Sequence, residues 1–213
     1  MNAACEKLIG LKDFQNFCKI NLSTASHHLR RIYSAFVQKS SDNLAFLEIS
    51  ASGFLYHQIR ITMTILLQIG LGNEKVEIID EFLDVEKMKN RAQLHLADDK
   101  PLILTECKFD QDLRWITGDA EKLTKHIQRI YWKSAVDHEQ VRILINDLKL
   151  EIHDRNLYKL VSSDFNYKNY TTFSKRLKCP SFEEEVEKDR LKKERREFRK
   201  NSIENPQPKK LKT

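Results

Sequence analysis

Two short stretches near the start of the chain carry apolar side chains in a strand-like pattern. Residues 28–38 and 44–51 are rich in β-branched and aromatic side chains, and the polar cluster 40–43 lies between them. A turn cluster between two such runs is typical of a β-hairpin. The sequence therefore predicts two paired strands, and residues 2–19 before them read as a short helix, a turn and an aromatic-rich segment.

Apolar positions at helical spacing follow the hairpin. Residues 53–70 have the length of a helix, and Gly70 and Gly72 stand where a left-handed helix stop is expected. A second, shorter helix is predicted at 75–84. After a polar linker, residues 101–109 read as a strand that begins with proline, at a position where no ladder hydrogen bond is lost.

The sequence beyond Gly118 has a more charged, helical pattern. Apolar positions in 119–149 keep helical spacing, which predicts two helices, whereas 156–178 shows no decisive pattern. Charges of both signs at i,i+4 spacing after Pro180 are typical of a solvated single helix. The basic cluster at 208–212 is either a nuclear address or part of a disordered, solubilising tail.

Composition and charge exclude several classes of protein. The chain has 213 residues, 40% hydrophobic and 32% charged, and its net charge of +6 permits a phosphate-rich partner without proving one. Four cysteines stand far apart without a C-x-x-C pair, which indicates reduced thiols and neither a zinc site nor a disulfide framework. No leader sequence and no membrane-length apolar run are present. These features predict a soluble protein of the nucleus or cytoplasm, with no metal and no membrane association.

One predicted helix carries a charge whose burial is costly. Apolar side chains cover most of the circumference of 53–70, which indicates a buried helix, yet His57, Arg60, Thr64 and Gln68 share one narrow polar stripe. Because a guanidinium cannot lose its proton, a buried Arg60 needs a carboxylate or phosphate beside it. Two interpretations stay open: Arg60 forms a structural salt bridge, or it holds an active-site carboxylate or an RNA phosphate.

Several motifs, in order along the chain, resemble those of one enzyme family. The stretch from Ala51 to Arg60 (ASGFLYHQIR), followed by LLQIGLG, resembles the signature helix of the TruA-type tRNA pseudouridine synthases. Upstream, DFQNFCK at 13–19 is similar to the family's Asp-Phe-x-Asn/Ser-Phe stretch. FLDVEK at 82–87 and ADDKPLILTECKF at 97–109 resemble the eukaryotic subgroup that modifies the anticodon arm. The resemblance covers about half of the chain.

The resemblance implies a reaction on tRNA that needs no cofactor. Enzymes of this family detach uracil from its ribose, rotate it and rejoin it through carbon, with an aspartate as nucleophile and an arginine paired to it. Arg60 matches that arginine, and Leu102 matches a leucine that packs against the flipped base. Phe54, Tyr56 and His57 match positions around the same cleft. For His57, proton transfer and a packed hydrogen-bonding role both stay open.

Two basic residues on the first predicted strand are further candidates for substrate contact. Arg30 and Arg31 would suit tRNA, which is held mostly through backbone phosphates and by shape. The plainer interpretation is a solvated strand face, because single arginines are mostly exposed.

The family's nucleophile block is absent from this sequence. In the family the aspartate lies in an Arg-Thr-Asp block, and none occurs among the 213 residues. We therefore expect the nucleophile to come from another stretch of polypeptide and the chain alone to be inactive. We also expect Arg60 to be shielded from water and to meet no acid of this chain.

The resemblance also implies a fold and partners. The expected class is α/β (α+β): the C-terminal half of the pseudouridine synthase fold, with a mixed, largely antiparallel sheet and the buried helix. Its expected domains are a synthase part at 1–112, a helical extension at 113–178 and a charged tail, helical or disordered, at 179–213. Expected partners are tRNA and either a second copy, the missing N-terminal half or a full-length synthase. Two alternatives stay open: a non-catalytic relative that binds tRNA or a synthase, and a helical interaction module beside a remnant domain.

Overall fold

The computed structural model describes residues 1–20, 27–41, 44–111, 114, 118–147 and 170–204. The helices and strands of these residues are, in chain order, α1 (Asn2–Glu6), β1 (Gly10–Asp13), β2 (Leu29–Ser41), β3 (Leu44–Ala51), α2 (Gln58–Gly70), α3 (Ile78–Leu83), α4 (Ala120–Asp147) and α5 (Phe182–Glu204). Two 3-10 turns lie at Gln15–Phe17 and Phe173–Lys175. This mixture of helices and sheet confirms the predicted α/β class.

The chain forms two units. The first contains residues 1–99 together with 162–213, and the second contains residues 100–161. All three strands, α1 to α3 and α5 belong to the first unit, whereas α4 belongs to the second. The division into a synthase part, an extension and a tail stays a prediction.

The sheet has the strand order β1-β2-β3, with antiparallel pairing throughout. The predicted hairpin is confirmed, and its turn residues 42–43 lie outside the described residues. Ile32 and Ala35 of β2 face the core, whereas Tyr33 and Phe36 are exposed. The inward residues are three positions apart and not two, because a register irregularity lies between Ile32 and Ser34.

Helices and aromatic side chains form the core on one face of the sheet. Helix α1 packs against β2 and α2. Helix α2 buries apolar side chains on several sides, which confirms the prediction of a buried helix. Phe17 meets Phe14 and Phe82 edge to face, with ring centroids 5.5 and 5.7 Å apart. The predicted short helix after α2 is confirmed as α3, although it spans only six residues.

Helix α2 begins later than predicted and ends as predicted. Its first residue is Gln58 and not Gly53, because His57 has a left-handed backbone (φ 64°) that cannot continue a helix toward the N-terminus. At the other end Gly72 has φ 74°. The Gly72 N–H donates to the Ile69 carbonyl, and the Asn73 N–H to the Gln68 carbonyl, both at 3.0 Å. These are the two hydrogen bonds of a Schellman motif.

A segment near the C-terminus packs against the first part of the chain, which the sequence did not indicate. Phe173 is 1% exposed and belongs to the core. Glu74 Oε1 accepts hydrogen bonds from the Tyr170 hydroxyl at 2.6 Å and the Phe173 N–H at 2.7 Å. An antiparallel bridge joins Ala92 to Lys178. Residues 156–169 of the segment without a decisive pattern lie outside the described residues.

Three elements differ from the sequence predictions. The strand predicted at 101–109 is wrong, because no described residue pairs with this segment, and an extended segment becomes a strand only beside a partner. The two helices predicted at 119–149 are one helix, α4, whose residues include neither glycine nor proline. Four-residue β1 was not predicted.

The charged region after Pro180 contains the predicted helix, α5. Its side chains form ion pairs at i,i+3 and i,i+4 spacing, such as Arg190 with Glu187 and with Glu194. The basic cluster at 208–212 lies outside the described residues. All four cysteines are free. Among the described helices, none has both the length and the apolar character needed to cross a bilayer.

Candidate active site

The loop between β3 and α2 is fixed to two other parts of the first unit. The Ser52 N–H donates to the Arg31 carbonyl at 2.9 Å, which ties the loop to the start of β2. The Lys19 N–H donates to the Tyr56 carbonyl at 3.0 Å, which ties the loop to the segment after the first 3-10 turn. These two bonds bring Lys19 and Arg31 to the loop that carries Phe54 and Tyr56.

The loop also closes on itself beside the first residue of α2. The buried Gln58 side chain accepts a hydrogen bond from the Leu55 N–H through Oε1 at 2.8 Å. Its other polar atom, Nε2, is buried without a hydrogen-bond partner among the described residues. This closure leaves Phe54 and Tyr56 exposed, although both are large aromatic side chains.

His57 holds a strained and electrostatically distinctive position. A histidine at φ 64° is uncommon, and backbone strain of this kind is concentrated at functional sites. Its ring stacks on the Tyr56 ring, with centroids 3.8 Å apart. Partial burial and then the positive charges of Arg60 and Lys19 lower the pKa of His57 below its ordinary 6.5. The imidazole is therefore mainly neutral at pH 7.

A short segment that we call the strap, residues 95–99, lies over the polar stripe of α2. Arg60 Nε donates to the Ala97 carbonyl at 2.7 Å. The Thr64 hydroxyl accepts from the Ala97 N–H at 3.0 Å and lies 2.8 Å from the His95 carbonyl oxygen, to which it donates. Gln68, the last member of the stripe, accepts from the Asn73 side chain at 2.9 Å. The stripe is therefore polar because it binds backbone and loop groups.

The strap also brings an acid to Arg60, which corrects one expectation. Arg60 Nη1 lies 3.4 Å from Asp99 Oδ2, so an acid of this chain does meet the guanidinium. The contact is long, and the Asp99 side chain is 69% exposed, so the pair contributes roughly 0–1 kcal/mol. The Arg60 side chain itself is 23% exposed, hence mostly shielded from water as expected.

The remaining candidate residues lie in different places. Arg31 is exposed on one face of β2, beside the loop through its backbone. Arg30 points to the other face and donates through Nη1 to the Leu29 carbonyl at 2.7 Å. Leu102 belongs to the second unit and is half exposed. The structure therefore brings together Phe54, Tyr56, His57, Arg60 and the backbone of Arg31, and it does not assign Arg30 or Leu102 to the same site.

Two features of the site escaped the sequence analysis. Lys19 lies at the end of the DFQNFCK motif, but only its tertiary hydrogen bond to Tyr56 reveals its place. The strap is separated from Thr64 by about thirty residues, so no local pattern could reveal it. In the part of the chain that the structure describes, no group of three His, Cys, Asp or Glu side chains is arranged to hold a metal ion.

The arrangement has the chemistry of a site for an anion and a base. Arg60 is held by its Nε edge, while among the described residues its Nη groups meet only a weakly bound, exposed carboxylate. A guanidinium in this position can pair with a further carboxylate in two-point geometry. The exposed rings of Phe54 and Tyr56 offer surfaces for base stacking, and the positive charge of Lys19 is close enough to act on His57.

Comparisons with known proteins identify the family of this chain. A family model described as tRNA pseudouridine synthase matches residues 4–110. The tRNA pseudouridine(38/39) synthase of Bos taurus is 34% identical over 162 residues, which are 70% of this chain and 34% of the relative. A probable tRNA pseudouridine synthase of Caenorhabditis elegans is 30% identical over 88% of this chain and 52% of the relative. The chain thus spans about a third to a half of the length of these relatives.

The matched range contains the loop, α2 and the strap, so the comparisons cover every residue of the candidate site. They confirm the resemblance drawn from the sequence motifs, and they do not favour either alternative function. The chain belongs to the tRNA pseudouridine synthase family.

Proposed function

We propose that this chain supplies the arginine side of a pseudouridine synthase active site that acts on uridine in the anticodon arm of tRNA. The main observation is how the guanidinium of Arg60 is held. Its Nε is fixed 2.7 Å from a backbone carbonyl, and the one acid that its Nη1 meets in the described part of the chain is an exposed carboxylate at 3.4 Å. The name of the cattle relative supports the substrate, and the family resemblance supports the reaction.

In this proposal Arg60 pairs with the nucleophilic aspartate of another stretch of polypeptide. An arginine beside a carboxylate lowers the pKa of that carboxylate and keeps it ionised, as a nucleophile must be. The incoming aspartate replaces Asp99, whose exposed side chain can return to water at little cost. His57, mainly neutral because of its lowered pKa, adds no further positive charge to this pair.

Other residues of the site would hold the substrate. Taking a uridine out of its stack costs a few kcal/mol, and aromatic stacking returns about 1–3 kcal/mol per base. Phe54 and Tyr56 are exposed and suited to this contact, and Leu102 is proposed to pack against the flipped base. Lys19 and Arg31 are proposed to contact backbone phosphates, with a salt-dependent affinity. Arg30 is proposed to support binding from its place on β2.

The proposal includes partners and a location. The partner that brings the aspartate is proposed to be the N-terminal half or a full-length synthase, and a second copy of the chain is a further proposed partner. Location in the nucleus or cytoplasm is proposed from the basic cluster at 208–212.

The test compares the chain alone with a chimera that precedes residues 1–213 with the part of the cattle synthase upstream of its match. Both proteins are incubated with an anticodon-arm tRNA substrate, and pseudouridine is measured by mass spectrometry of the digested RNA. We expect no product from the chain alone and turnover by the chimera. Turnover by the pure chain would contradict the outside nucleophile. A folded chimera that binds tRNA without turnover would contradict the proposed role of this chain.

A further inference from the structure

Helix α4 of the second unit is long and almost entirely exposed. It spans 28 residues, and its side chains are exposed throughout the described positions except for the partly covered Ala135. Isolated helices gain little stability from propensity alone, and most helices in proteins are stabilised by packing of an apolar face. We therefore expect another polypeptide segment to pack against the exposed apolar face of α4.

The apolar face of α4 has the spacing of a coiled coil. Core positions separated alternately by four and three residues place one seam along a helix, and five of seven such positions here are apolar. The apolar ones are 55–60% exposed. We call this set the seam; its members are Leu123, Ile127, Ile130, Ser134, Asp137, Val141 and Leu144.

The two polar members identify the partner and its direction. In a parallel pair of identical helices each core residue faces its own copy, so Asp137 would face Asp137, a costly like-charge contact away from water. In an antiparallel pair centred between Ser134 and Asp137, each aspartate faces a serine hydroxyl, which can donate a hydrogen bond to it. The same register places Ile127 opposite Leu144 and Ile130 opposite Val141. In these layers each polar member of the seam faces a polar one and each apolar member an apolar one, whereas Leu123 faces a position beyond Asp147, the last residue of α4.

The flanking positions agree with this register. On one side of the seam His126 faces Asp147 and Lys133 faces Gln140, and on the other Tyr131 faces His138. No like charges meet across either flank. A helix whose contacts complement themselves about one twofold axis suits an isologous dimer.

We propose that α4 is a dimerisation helix that pairs antiparallel with α4 of a second copy of this chain through the seam. The proposal does not depend on catalysis or on tRNA, so its test and that of the proposed function fail independently. It assigns the mode of association, which the family resemblance does not supply.

The first experiment measures the oligomeric state of the whole chain by light scattering and sedimentation at micromolar concentration, without tRNA. We expect twice the monomer mass of 25.2 kDa. Leu144→Lys places a charge in the seam and should give a monomer. Ile143→Lys is the matched control, because Ile143 is its neighbour, is similarly exposed and lies outside the seam, about 100° around α4 from Leu144. A monomeric wild-type chain, or a dimer that Leu144→Lys leaves intact, would overturn the proposal.

A second experiment tests the direction and does not depend on a disruptive variant. In a Cys107→Ser, Cys179→Ser background, Ser134→Cys and Asp137→Cys proteins are mixed and oxidised with copper–phenanthroline. We expect a disulfide-linked dimer from the mixture and little from either protein alone, since like positions lie farther apart than a disulfide can reach. Crosslinking of Asp137→Cys alone would show a parallel pair and refute the register, as would a mixture that does not crosslink.

Discussion

Helices α2 and α4 differ in where their least typical side chains find contacts. In the buried α2 these are the polar side chains, and in the exposed α4 they are the apolar ones. Helix α2 is surrounded by protein, and its polar stripe binds the strap and the loop after the helix. Helix α4 is surrounded by water, and its apolar seam has no cover in the part of the chain that the structure describes. Most polar groups of the α2 stripe are thus matched within the chain, whereas the exposed seam of α4 suits a second molecule.

The contrast shows where the chain is complete in itself and where it needs other polypeptide. Arg60 stands between the two cases. Its Nε edge is matched internally by Ala97, but its Nη edge has, within the ranges that the structure describes, only a weak ion pair with Asp99. This half-matched charge within an otherwise satisfied stripe is the part of α2 most suited to a further partner.

The largest expected difference between the two helices concerns a matched pair of isoleucines. Ile65 of α2 is 0% exposed and Ile130 of α4 is 55% exposed. Ile65→Ala should lower the free energy of unfolding by about 2–5 kcal/mol because it leaves a cavity. Ile130→Ala should change it by less than about 0.5 kcal/mol at concentrations where the chain is monomeric. Urea unfolding measures the free energy of unfolding of both variants. Equal losses of this free energy in dilute solution would contradict the difference between the two helices.

A smaller effect is expected from removing the hydroxyl that holds the strap. Thr64→Val leaves the buried Ala97 N–H without its acceptor and should lower the free energy of unfolding by about 1–3 kcal/mol. Thr62→Val is the matched control, because Thr62 is equally buried on α2 but makes no side-chain hydrogen bond to the other described residues. Thermal unfolding should separate the two variants. Equal melting temperatures would show that the strap does not depend on Thr64.

The sequence predicted those elements whose buried face shows in the local spacing of apolar residues. The β2–β3 hairpin and the body of α2 followed from apolar spacing, since that spacing directly reflects which face is covered. The start of α2 did not, because it depends on the backbone of His57 and on the closure of Gln58 onto Leu55. The segment at 101–109 has strand-like residues, but strand propensity expresses packing beside a partner strand.

The candidate site was predicted in the same uneven way. Phe54, Tyr56, His57 and Arg60 are close in sequence, so one motif identified them together. Lys19 and the strap reach the site only through tertiary hydrogen bonds, which a single sequence does not express. The expectation that no acid of the chain would meet Arg60 failed for the same reason, because Asp99 is 39 residues away.

The most direct measurement replaces Arg60 in the chimera and follows pseudouridine formation on an anticodon-arm tRNA. Arg60→Met should reduce turnover about 100-fold or more while the protein stays folded by circular dichroism, because a side chain of similar shape removes a charge that acts on the nucleophile. Arg91→Met, a half-buried arginine outside the site, should retain wild-type turnover. If Arg60→Met were as active as Arg91→Met, Arg60 would not be the partner of the nucleophile.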